Sequence, residues 1–127
     1  MMCEMRIADL EAQVPPRLWK RMLALDTDPP GTPLLVDARD YAHAVLVSWM
    51  RKEPREQNFW TVSGSVGTGK SCAVLRVAHF ASRHGMEADY WQFVDWLSAL
   101  KASYAAGDGQ ADRMVWDAKR VPLLVID

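Results

Sequence analysis

The sequence predicts an α/β domain, three αβα layers around a parallel sheet, with a short helical segment in front. Three observations predict it. A glycine cluster with a lysine, "SGSVGTGKS", stands between an aromatic, β-branched run and a helical pattern. Strand-like and helix-like patterns then alternate as strand, helix, strand, helix, strand, the order that builds a parallel sheet. The last of these, "VPLLVID", is apolar up to Ile126, the pattern of a strand buried on both faces.

Composition sets the outer bounds. A chain of 127 residues fits one small domain with one core. It is 50% hydrophobic and 24% charged, which is ordinary for a globular protein. Fifteen Lys and Arg against sixteen Asp and Glu leave a net charge of −1, so no overall positive field draws it to nucleic acid. Cys3 and Cys72 are far apart, have no CxxC or Cys/His spacing, and read as reduced thiols rather than a zinc site. The start, "MMCEMRIADLEAQ", is too charged for a signal peptide, and no apolar run approaches the roughly 20 residues of a membrane helix. The expected location is the cytoplasm.

The elements follow in order. Leu18, Trp19, Met22, Leu23 and Leu25 recur at helical spacing in "PPRLWKRMLAL", a short helix opened by proline and closed by the turn "DTDPPGTP". Asp37 is the expected N-cap of the next helix, with Tyr41, Val45, Leu46 and Trp49 on one face and Pro54 as its stop. "NFWTV", Asn58 to Val62, is a strand candidate. From Lys70 to about Arg83 a helix turns Val74, Leu75, Ala78 and Ala81 to the core, with Gly85 as its stop. "EADYWQF" reads as a second strand. A third helix turns Trp96, Leu97, Leu100 and Tyr104 inward and ends at Gly107. A short helix near Asp112 to Lys119 leads into "VPLLVID". The expected division is a helical and loop segment over residues 1–36 and a nucleotide-binding domain over 37–127.

The glycine cluster carries the chemistry. "GSVGTGKS", Gly64 to Ser71, satisfies G-x-x-x-x-G-K-[ST], the phosphate loop or Walker A motif. A phosphate chain needs several N–H donors aimed at one point, and a loop poor in Cβ atoms can curl that tightly. Gly64, Gly67 and Gly69 supply the curl, and the backbone from Val66 to Ser71, with Ser65 and Thr68 in the loop, forms the cradle. The helix beginning near Lys70 adds its positive end. Lys70 reaches the β and γ phosphates, and Ser71 offers its hydroxyl to Mg²⁺. "LLVID" brings Asp127 to the C-terminal edge of a strand, where α/β proteins bind ligands, and so to the Mg²⁺ ion opposite Ser71. The expected ligands are ATP and Mg²⁺. The only D-x-x-G, Asp28 to Gly31, precedes the loop, and no N-K-x-D occurs, so GTP is disfavoured. No arginine-rich lid suggests a small-metabolite kinase.

The run "VPPRLWKR", the phosphate loop with its flanks, and "VPLLVID" together resemble the DnaC/IstB-type AAA+ ATPases over about Val14 to Asp127. Val14-Pro15-Pro16-Arg17 matches the family's I-P-x-R-like opening segment. Asp95-Trp96-Leu97 falls where its second helix begins, and Leu123 to Asp127 match its Mg²⁺ strand. The resemblance implies a P-loop fold and ATP hydrolysis that controls the grip on a replicative helicase and single-stranded DNA. Alternatives are a transposition helper acting with a transposase, or an adaptor that binds nucleotide without turnover. It also implies assembly as a homo-oligomer in the intact form. In the family an acidic residue follows the strand's Asp, and the sensing strand and sensor arginines lie further on. The chain is therefore expected to be partial, with no catalytic residue assigned. That sensing strand runs between the loop strand and the Mg²⁺ strand, so "NFWTV" and "VPLLVID" are expected either to leave a gap or to pair directly. Arg51, Lys52, Arg55, Arg83, Lys101, Lys119 and Arg120 are scattered and read as solvated surface, and Trp60, Trp91, Trp96 and Trp116 as core rather than base-stacking platforms.

Overall fold

The computed structural model describes residues 2–25, 31–53, 60–64 and 69–127. Helices α1 (Met2–Gln13), α2 (Pro16–Ala24) and α3 (Pro33–Arg51) come first. Then follow α4 (Lys70–Arg83), β1 (Ala88–Trp91), α5 (Phe93–Ala106), α6 (Gln110–Arg120) and β2 (Leu123–Ile126). The two strands pair in parallel, with Ala88 opposite Leu123 and Tyr90 opposite Val125.

α4 is the hub. It packs against α1, α2, α3 and both strands. Ala73, Leu75, Val77, Ala78 and Ala81 are buried on it, and the small alanines let its neighbours come close. Its C-terminus is closed by Gly85 at φ +85°: Met86 N–H donates to Ala81 O at 3.0 Å and Gly85 N–H to Ser82 O at 3.1 Å. This paired closure needs the left-handed conformation that glycine adopts without a Cβ penalty. Met86, just beyond it, is wholly buried.

α3 starts earlier than its acidic residues suggest. Thr32 is the N-cap, its Oγ1 accepting from Leu35 N–H at 3.2 Å, and Pro33 occupies the first turn. Asp37 lies inside the helix, exposed. The threonine-proline pair wins because the cap hydroxyl satisfies a donor that the helix cannot, and proline has no N–H to lose there. The buried face is Leu35, Ala38, Ala42, Val45 and Leu46; Tyr41 is half-buried and Trp49 is exposed.

α1 and α2 belong to the same core. Leu10, Val14, Trp19 and Met22 cluster with α3, α4 and the sheet, and Arg76 Nη1 donates to Leu25 O at 2.9 Å. The expected division at 36/37 falls inside α3. At the sheet's β1 side, Tyr90 N–H donates to Gln13 Oε1 at 2.8 Å, so a side chain of α1 takes up a strand donor that faces away from β2.

Several expectations of burial are corrected. Leu123 and Val125 are buried, whereas Leu124 is half-buried and Ile126 is 45% exposed, so the helix layer covers one face of β2 fully and the other only in part. On α5, Leu100 and Ser103 are buried and Tyr104 is 67% exposed; α5 packs chiefly on α6, which touches only a narrow strip of it. Trp116 is exposed, with the Arg120 guanidinium 4.4 Å above its ring, and Trp91 is exposed at the end of β1. Trp60 and Trp96 are half-buried.

"NFWTV" is not seen as a strand. Asn58 and Phe59 lie outside the described residues, and Trp60, Thr61 and Val62 carry no strand pairing. Trp60 instead stacks on Tyr41, ring centres 5.4 Å apart and planes 19° apart. A groove of about 430 Å³ separates this segment from β2, lined by Tyr41, Trp60, Val74, Leu123 and Val125 among others. Of the two arrangements expected, the gap is the one found among the described residues. No described helix is long and apolar enough to cross a membrane.

Candidate functional site

The site lies where the start of α4 meets the end of β2. Strand alternation explains half of this. Side chains two apart share a face, so Leu123, Val125 and Asp127 all point to the α4 side. The first two fill the core, and the third emerges at its rim. The backbone of Asp127 is held by the continuing ladder: its N–H donates to Trp91 O, and Phe93 N–H donates to its O, each at 2.8 Å.

The other half comes from α4. Gly69, at φ 85° and ψ 18°, is its N-cap and has no side chain to cap the first turn. Ser71 therefore stands in a turn whose N–H groups point out along the helix axis. Its Oγ donates to Asp127 Oδ1 at 3.0 Å, joining residues 56 positions apart. Lys70 folds back, its Nζ donating to Gly64 O at 2.7 Å across the base of the loop.

A residue that sequence reasoning missed completes the set. Tyr90 OH donates to Asp127 Oδ2 at 2.6 Å. Its ring is 2% exposed and belongs to the core. Burial first, and then the bond to Asp127, push the phenol well above its ordinary range, so it remains a donor. The available signal was the alternation of Ala88 and Tyr90 onto the face that Val125 and Asp127 share.

Of the expected binding residues, Gly64, Gly69, Lys70, Ser71 and Asp127 are described and converge. Ser65, Val66, Gly67 and Thr68 lie outside the described residues. Among the described residues, the Ser71 hydroxyl and the Asp127 carboxylate come together as donors for a metal, both hard oxygens. Among the described residues no group of three or more His, Cys, Asp or Glu is arranged to hold an ion. That set would not cage a metal alone. It fits Mg²⁺, which keeps several waters and takes phosphate oxygens alongside one or two protein ligands. Zinc fits poorly, and both cysteines are free, Cys3 exposed and Cys72 buried.

No family model, no curated protein and no solved structure matches this chain.

Proposed function

We propose that the chain is an ATP- and Mg²⁺-binding module of the AAA+ helicase-loader kind. The observation that carries the reading is the Ser71–Asp127 contact at 3.0 Å. A phosphate-loop serine and a strand-end aspartate have no local reason to meet. Their meeting supports a shared ligand that is both cationic and phosphate-bound.

The chain's own groups divide the work. The first turn of α4 offers N–H donors and the positive end of its dipole to phosphate oxygens. Lys70, whose Nζ donates to Gly64 O, would turn its ammonium to the terminal phosphates, whose anionic oxygens attract it more strongly than a neutral carbonyl does. Ser71 and Asp127 are the residues that would hold Mg²⁺, which supplies charge neutralisation between the phosphates. The groove between β2 and the Trp60 segment leaves room for the sensing strand that the resemblance implies there. Hydrolysis, helicase loading, single-stranded DNA and self-assembly rest on that resemblance alone, as does a transposition helper.

The test is a titration with a fluorescent ATP analogue. Lys70→Ala is expected to weaken binding at least about tenfold, since a charge-assisted hydrogen bond is worth about 1.5–3 kcal/mol. Unchanged affinity in Lys70→Ala would reject the phosphate-loop reading.

A further inference from the structure

Asp127 has two carboxylate oxygens, and each has its own donor. Oδ1 takes Ser71 Oγ at 3.0 Å and Oδ2 takes Tyr90 OH at 2.6 Å. The shorter bond is to the tyrosine, and the tyrosine is the better anchored partner. Its ring is locked in the core at 2% exposure, opposite Val125 in the sheet, and its N–H is tied to Gln13 at 2.8 Å. Ser71, by contrast, stands in the first turn of α4 and is half-buried. Asp127 itself is exposed, so these two hydrogen bonds, rather than burial, set its side-chain rotation, and the shorter of them comes from the better anchored partner.

We propose that Tyr90 is a positioning residue for the metal site: its buried hydroxyl holds Oδ2 of Asp127, so that Oδ1 stays turned toward Ser71 and toward Mg²⁺ bound with nucleotide. This rests on the nucleotide-binding reading above. A partner that orients a ligating carboxylate commonly contributes one to two orders of magnitude in metal affinity, because the free carboxylate otherwise samples rotations that do not bind. Tyr90 does this from β1, so the register of β1 on β2 is part of the site. Slipping that register by one residue would turn the tyrosine to the opposite face.

The experiment is a Mg²⁺ titration of fluorescent ATP-analogue binding to the wild-type chain and to Tyr90→Phe, with a parallel arm in EDTA. Phenylalanine keeps the buried ring and removes only the hydroxyl. The expected result is about a tenfold rise in the Mg²⁺ concentration needed for half-maximal tightening, with nucleotide affinity in EDTA unchanged. Asp127→Asn should raise that concentration by at least as much, and urea unfolding in EDTA should confirm that Tyr90→Phe is folded. A Mg²⁺ dependence in Tyr90→Phe equal to wild type would overturn the proposal. An equal loss in both arms would also overturn it, since that is what general loosening of the core does. If wild type binds nucleotide with normal Mg²⁺ tightening and Lys70→Ala does not bind, the reading beneath stands whichever way Tyr90 falls. If wild type shows no Mg²⁺-dependent tightening, both fall.

Discussion

Gly69 shows how one residue's backbone serves the site. At φ 85° and ψ 18° it is in the left-handed region, and a Cβ built there would meet no atom of the described residues within 4 Å. The barrier to a side chain that these residues show is conformational. Gly69→Ala is expected to destabilise the fold by about 1–2 kcal/mol, read as a lower urea midpoint. Gly69→Asn should lose less, because asparagine tolerates this region better. Gly69, Lys70 and Ser71 stood out in the sequence because the motif G-x-x-x-x-G-K-[ST] sets residue types at fixed spacing. Tyr90 was not. Strand alternation announces it as a core residue, and its hydroxyl finds a partner 37 positions away, which no local pattern encodes.

At the scale of the element, α3 offers a direct comparison of two caps. The sequence carries Asp37 and Thr32, and either suits an N-cap by residue type. The structure uses Thr32, with Pro33 behind it. Thr32→Ala is expected to cost about 1 kcal/mol in thermal or urea unfolding, while Asp37→Ala should change little. A loss in Asp37→Ala larger than that in Thr32→Ala would place the cap where the acidic pattern suggested. Element type was legible for α2, α4, α5 and α6 from helical spacing of apolar residues, and for β1 and β2 from short apolar or aromatic runs between helical stretches. Depth of burial was less so. Tyr104 and Trp116 have the spacing of inward residues, yet each is on a helix whose main neighbour is the other, α5 on α6, and that contact is too narrow to cover them. The Trp60 segment has strand-forming residues, but β-preference is realised only beside a partner, and here the space toward β2 is a groove.

At the scale of the whole molecule, the two ends of the chain meet around α4. Leu10 and Met22 are wholly buried in the core that also holds Leu123 and Val125. A hydrophobic stripe tells which face of a helix is buried, not what buries it, so the fusion of α1 and α2 with the sheet was outside what periodicity can say. The same closure brings Ser71 of the glycine-rich motif to Asp127 at the end of β2. Calorimetric titration of ATP with and without Mg²⁺ into wild type, Ser71→Ala, Asp127→Asn and the double variant tests that convergence most directly. The account predicts that Mg²⁺ tightens wild-type binding, that each single variant loses most of the gain, and that the double variant loses no more than the worse single, as residues acting through one ion are coupled. A Mg²⁺ gain that survives both substitutions, or losses that simply add, would contradict it.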